Sequence, residues 1–233
     1  MQLDELYALC AGEAPWYQSL YFERAGEQPA RYRALLDQFR QAFPQETEAS
    51  LLCTPGRTEI CGNHTDHNHG RVLAGAVDLD AIAVFAPRSD GRAVLLSHEF
   101  GRIEADVLSP SVDPALFGTS QALVRGVCAG LAARGWRIGG FSACLTSDVP
   151  VGSGLSSSAA FEVLLGGIQN VLYNDGACTP EVLAQVAQYA ENVYFGKPSG
   201  LMDQMACACG GLITIDFGRI ESPEVRRVPY DFE

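Results

Sequence analysis

The sequence predicts an α+β fold, and three observations carry that prediction. The first 48 residues hold helix-spaced apolar side chains and no strand pattern. Residues 72–107 hold strand-like runs joined by short turns. After residue 120, helical stretches alternate with single strands. Hairpins gathered in one part of the chain and helices in another argue α+β over a regular strand–helix–strand succession.

Tyr32, Leu35, Leu36, Phe39 and Phe43 recur at helix spacing, and Pro44 ends that run. Residues 50–53 read as a short apolar strand stopped by Pro55-Gly56. Residues 72–86 are rich in Val, Ile and Ala, with alternation at Leu79, Ala81 and Ala83, and predict one or two strands ended by Pro87. Arg88-Ser89-Asp90-Gly91 is a turn, residues 93–97 are expected to pair back as a hairpin partner, and residues 102–107 add another strand. Residues 120–134 predict a helix with Leu123, Val127 and Leu131 on one face and Gly135 as its stop. A strand at 141–146 and a helix at 157–172 follow. Thr179-Pro180-Glu181 combines an N-cap, a first-turn proline and an acidic first turn. It starts a helix expected to reach Tyr194, and residues 211–217 are a last strand.

Composition narrows the function. The chain has 233 residues, 47% of them hydrophobic, which is ample for a core. Its net charge of -12, from 28 acidic and 16 basic residues, argues against a nucleic-acid surface or an acidic membrane surface. No apolar window reaches the roughly 20 residues of a membrane span. The N-terminus carries acids early and no basic stretch, so no signal peptide is expected. The eight cysteines form no CxxC pair and are expected to be reduced thiols in a cytoplasmic protein. Cys207-Ala208-Cys209 reads either as a metal or redox pair or as simple alternation.

Gly152-Ser153-Gly154-Leu155-Ser156-Ser157-Ser158 lies between a predicted strand and an apolar helix. Glycines let the backbone approach a ligand closely. The helix start offers unpaired N–H groups and a favourable dipole to an anion. The loop therefore predicts phosphate binding without lysine. It is neither a Walker A loop nor a dinucleotide fingerprint.

Gly62-Asn63-His64-Thr65-Asp66-His67-Asn68-His69-Gly70 holds three of the four histidines. Flanking glycines and two asparagines make it a turn, which is a poor platform for zinc. Its donors and acceptors, with Arg57 nearby, suit a polyhydroxylated ligand such as a sugar. Downstream, Gly196 to Gln204 delivers Asp203 among apolar neighbours. Glu191 borders the apolar face of the preceding helix, where a carboxylate is expensive unless paired or on a metal. Beside a phosphate loop, Mg²⁺ is the natural partner, because it takes oxygen ligands and shares them with phosphates.

Three segments carry a family resemblance. Residues 55–70 resemble the galactokinase signature PGRVNLIGEHTDYNxG. Residues 148–160 resemble the second motif of the GHMP small-molecule kinases. Residues 191–204 are similar to the galactokinase stretch ending in G-I-M-D-Q. The resemblance implies a two-layer domain like the second domain of ribosomal protein S5, a mixed sheet with helices on one side. Val127, Leu131, Val163, Leu164, Ile168, Val186 and Val193 are then expected to face its core.

The resemblance also implies residue roles. Asp203 and Arg57 would be catalytic. Asn63, His64, Asp66, Gly200 and Asp203 would bind the sugar. Gly152, Ser153, Gly154, Leu155, Ser156, Ser157 and Ser158 would bind ATP, with Ser158 and Glu191 at the Mg²⁺ positions. The implied reaction moves the ATP γ-phosphoryl group to the C1 hydroxyl of galactose. Asn63 stands where the family has glutamate, so a related sugar such as N-acetylgalactosamine, or a non-catalytic sugar sensor, stays open. The resemblance divides the chain into a helical extension (1–48), the kinase N-terminal domain (49–206) and the start of a second α/β domain (207–233). A chain ending before that domain's glycine-rich motif is expected to be weakly active and to expose an edge that favours homodimers.

Overall fold

The computed structural model describes residues 1–12, 14–62, 65–109, 111–219 and 222–230. The chain opens with helices α1 (Leu3–Leu9), α2 (Pro15–Tyr21) and α3 (Gln28–Ala42). Strands β1 (Ser50–Cys61), β2 (Arg71–Arg88), β3 (Arg92–Ser97) and β4 (Gly101–Asp106) follow. Then come α4 (Ser120–Ala133), β5 (Gly140–Ser147), α5 (Ser157–Tyr173) and α6 (Pro180–Tyr189). A π-helical turn (Ala190–Phe195) continues α6, and α7 (Met202–Cys209), β6 (Leu212–Asp216) and β7 (Glu224–Arg227) end the order.

The strands form one mixed sheet in the order β4-β3-β5-β2-β6-β7, with β1 on the other flank of β2. β2 has 18 residues, enough to take β5 along Ala81–Arg88 and β6 along Arg71–Gly75. Strand alternation then sorts its side chains to two faces. Ala81, Ala83 and Phe85 meet Val127, Leu131, Leu164, Ile168 and Val186 from α4, α5 and α6. Ile82, Val84 and Ala86 meet Tyr32, Leu35, Leu36 and Phe39 from α3. The two-layer α+β core is thus present, and the N-terminal helices lay a third layer on the sheet's opposite face.

Several local expectations need correction. β1 does not stop at Pro55-Gly56 but runs on to Cys61. Among the described residues it pairs only with β2, and a proline is tolerated on such an edge because no further described strand needs its N–H. The register does break there: Pro55 faces Asp80, whereas Arg57 faces Ala76. Residues 72–86 belong to one strand, and Pro87 lies within it, past the Ser50↔Phe85 pair where β1 begins. β3 does not pair back on β2. β5 lies between them, antiparallel to β2 and parallel to β3. The six residues from Gly140 to Leu145 are buried, as expected of a strand covered on both faces.

The helix from Pro180 ends its α-helical part at Tyr189, and the π turn that follows shifts the side-chain phase. Glu191 and Tyr194 point inward as a result, and Val193, expected in the core, is 37% exposed. Residues 211–217 do not open a separate sheet. β6 lies against β2, with Arg71 opposite Asp216, and Ile213, Ile215 and Phe217 are fully buried beside α7. None of the described helices is long and apolar enough to cross a membrane. All eight cysteines are unpaired; five are buried and Cys61 is exposed.

Candidate active site

Asp203 is the second residue of α7, and Arg57 sits where the β1–β2 register breaks. Although 146 residues apart, they meet: Arg57 Nε and Nη2 both donate to Asp203 Oδ1, at 2.8 and 2.6 Å. Ser156 Oγ donates to the other oxygen, Oδ2, at 2.5 Å. The Arg57 side chain is only 6% exposed, while Asp203 is 36% exposed. A buried guanidinium therefore fixes a carboxylate that remains open to a ligand.

The same arginine ties this carboxylate to the glycine-rich loop. Arg57 Nη1 donates to the Gly154 carbonyl, and the Arg57 N–H donates to the Leu155 carbonyl at 3.0 Å. The loop connects β5 to α5 and is braced internally by Ser153 Oγ, which donates to the Pro150 carbonyl at 2.7 Å. Ser156, just before α5, has left-handed backbone angles (φ 61°, ψ 53°). A serine held there without a glycine's freedom is a local strain of the kind found at ligand sites. Gly152 is exposed, while Ser157 is the first residue of the helix and half-buried. The unpaired N–H groups of α5 thus open beside Asp203.

Asp66 lies in a 3-10 turn (Asp66–Asn68) and is 7% exposed. Its Oδ2 accepts from the Met202 N–H at 3.2 Å, one residue before Asp203. Gly200 packs directly on this carboxylate: a Cβ there would stand 1.7 Å from Asp66 Oδ2. Only glycine allows that approach. Asn63 and His64 lie outside the described residues. His67 stays exposed, with its ring Nδ1 3.2 Å from Asp66 Oδ1. No cluster of three or more His, Cys, Asp or Glu suited to a metal exists among the described residues.

A second polar cluster lies behind the loop. Glu191 is 2% exposed. Its Oε1 accepts from Lys197 Nζ at 2.7 Å and from Ser158 Oγ at 3.4 Å, and its Oε2 accepts from Gln204 Nε2 at 2.8 Å. Gln204 also reaches Glu162 Oε2 at 3.3 Å. Glu162 and Gln204 are completely buried, and Glu162 Oε1 and Gln204 Oε1 have no hydrogen-bond partner among the described residues. Burial, reinforced by the nearby Glu191 charge, pushes the Glu162 carboxyl well above the usual carboxylate range. The bond to Glu191 raises the Lys197 amine.

Of the residues the sequence singles out, the structure joins Arg57 and Ser156 to Asp203, Asp66 to the backbone at Gly200 and Met202, and Ser158 to Glu191. Glu162, Gln204 and Lys197, which join the Glu191 cluster, are not singled out by the sequence motifs. Glu162 was findable, because it is a carboxylate inside the apolar run Ala159 to Ile168 and so raises the same question as Glu191.

In chemical terms, the site joins an anchored carboxylate, a second carboxylate with polar backbone beside it, and a glycine- and serine-rich loop at a helix start, with the Ser158 and Glu191 oxygens on the loop's far side.

The family described as GHMP kinases N terminal domain matches residues 122–211, and the galactokinase galactose-binding signature matches residues 37–87. Galactokinase of Streptomyces coelicolor is 35% identical over 198 residues, covering 84% of this chain and 50% of that protein. Human galactokinase is 38% identical over 178 residues, covering 74% of this chain and 44% of that protein. The crystal structure of Lactococcus lactis galactokinase complexed with galactose matches with a TM-score of 0.74 at 29% identity, covering 82% of this chain and 50% of that one. The chain thus spans about half the length of the relatives it matches.

Proposed function

We propose, for a chain that belongs to the GHMP kinases and carries the galactokinase galactose-binding signature, that it forms the sugar-binding and phosphate-binding half of a galactokinase. The observation that carries this reading is the Arg57–Asp203–Ser156 triangle. One residue of each arm belongs to a different ligand zone, and Asp203 is the corner they share. Asp66 and the backbone at Gly200 would hold sugar hydroxyls, together with Asn63 and His64. Residues 152–158 would cradle the ATP phosphates.

In the proposed reaction the C1 hydroxyl oxygen of galactose bonds to the γ-phosphorus, and the bond from that phosphorus to the bridging oxygen of ADP breaks. Asp203 orients the hydroxyl and accepts its proton. Arg57 holds Asp203 in place and sets positive charge beside the transferred group. Such transfer is mainly positioning and charge stabilisation.

The donors fit a hard divalent cation. Glu191 offers a buried oxygen, Ser158 adds a hydroxyl, and a cationic side chain already sits on Glu191 Oε1. Mg²⁺ held by Ser158 and Glu191 would neutralise charge on the nucleotide phosphates. A cytoplasmic setting suits the eight unpaired thiols.

The test is incubation of the protein with ATP labelled at the γ-phosphate and a panel of sugars. Labelled galactose 1-phosphate is the expected product. Transfer to a different hexose alone would reassign the sugar, and binding of neither sugar nor ATP would remove the reading.

A further inference from the structure

Lys197 is the only lysine among 233 residues; the other fifteen of the 16 basic residues are arginines. It sits on the loop after the π turn, and its ammonium lies on Glu191 Oε1, the oxygen that Ser158 also faces. The two partners differ in freedom: the Glu191 side chain is 3% exposed and Lys197 is 59% exposed. Glu191 cannot follow a cation out of the site, but the lysine can leave. An unpaired buried carboxylate is costly, so this position demands a cation at all times. Lysine suits a temporary occupant, being a compact charge on a flexible stem, where an arginine fork would stay locked on the carboxylate. The cluster also has uncommitted oxygens, because Glu162 Oε1 and Gln204 Oε1 are buried without a hydrogen-bond partner among the described residues.

We propose that Lys197 is a built-in placeholder for the divalent cation: its ammonium neutralises Glu191 when no metal is bound and is displaced when the metal arrives. The inference rests on the proposed metal position at Ser158 and Glu191. It adds that metal affinity is set partly by competition from this chain's own lysine. Anything that binds one state and excludes the other shifts the balance between them.

The test uses Mn²⁺, whose free form is counted by electron paramagnetic resonance, on nucleotide-free protein. Lys197→Met should bind Mn²⁺ about fivefold tighter than the unmodified chain, the scale of one partly exposed ion pair. Lys197→Arg, which keeps the charge, should show no such gain, and adding Glu191→Gln to Lys197→Met should abolish it. In parallel, an amine-reactive label read by mass spectrometry should modify Lys197 faster when Mg²⁺ is added without nucleotide. Equal or weaker Mn²⁺ binding by Lys197→Met, or slower labelling with Mg²⁺, would overturn the exchange. If that happens while Mn²⁺·ATP still binds the unmodified protein, only the exchange fails. If Mn²⁺·ATP does not bind at all, the proposed kinase site falls with it.

Discussion

Two buried polar clusters lie on opposite faces of the sheet and are finished differently. On the α3 face, Asp80 is 4% exposed and both its oxygens are used. Arg31 Nη1 donates to Oδ1 at 2.6 Å, and the Tyr21 hydroxyl donates to Oδ2 at 2.6 Å. The Tyr32 hydroxyl lies 2.5 Å from that of Tyr21, and Arg31 and Arg24 reach on to Asp148. On the α5 face, Glu162 and Gln204 are buried just as deeply, yet each keeps an oxygen without a hydrogen-bond partner among the described residues. Arg31 Nε, 3.4 Å from Asp148 Oδ1, also makes no hydrogen bond among the described residues, so the difference lies in the oxygens: those of Asp80 are filled and tie one layer to another, whereas the unfilled ones behind the loop leave capacity for something the described residues do not supply. The first cluster ties the N-terminal helices to the sheet, and the second stands behind the candidate phosphate site.

The sharpest way to break this contrast is at the ligand side. Gly200→Ala places a methyl group on Asp66, so the Asp66–Met202 contact must open. Overpacking of this kind costs about 1–3 kcal/mol. We expect that loss in chemical denaturation, and galactose binding followed by ligand-observed NMR should fall at least about tenfold. Unchanged binding would place the sugar elsewhere.

Next in size is Tyr21→Phe. It strips the donor from a buried Asp80 oxygen and should destabilise the fold by about 1–3 kcal/mol. Sugar binding should stay unchanged once the protein is folded. A selective loss of sugar binding with normal stability would show that the Asp80 cluster is not merely structural.

The smallest expected effect is a pH dependence. The folded state raises the Glu162 carboxyl, first by burial and then by Glu191, with Gln204 and Lys197 opposing and Asp203 adding to the rise. The unfolded glutamate titrates near its ordinary value, about 4.3. Above that value the folded chain holds a proton the unfolded chain has lost, so stability falls as pH rises through the raised folded value. Glu162→Gln removes this slope. The variant should gain on the unmodified protein as pH rises from the ordinary carboxylate range, with the two converging below it. A gap independent of pH would mean that Glu162 is ionised in the fold.

How far the sequence could be read follows from which interactions are local. The helices at 120–133 and 157–173 were legible because their apolar spacing lies within each segment, and the start of the helix at 180 because its cap does, Thr179 accepting from the Val182 N–H. Strand neighbours were not. Nothing near residues 93–97 shows that β5, some 45 residues onward, will be inserted beside them. Pro55 looked like a stop because the edge position of β1 is a property of the whole sheet.

The site was legible as three motifs, but the hydrogen bonds from Arg57 to Asp203 and Gly154 span 146 and 97 residues and exist only in the fold. The π turn that swings Glu191 inward and Val193 outward has no local signature in Ala190-Glu191-Asn192-Val193.

The central claim is that sugar and phosphate zones converge on Asp203. The most direct test compares transfer of labelled γ-phosphate to galactose by the unmodified protein and by Asp203→Asn. The account predicts labelled galactose 1-phosphate from the first and a loss of about a thousandfold in the second, with galactose binding largely retained. Transfer by Asp203→Asn at the unmodified rate would contradict it.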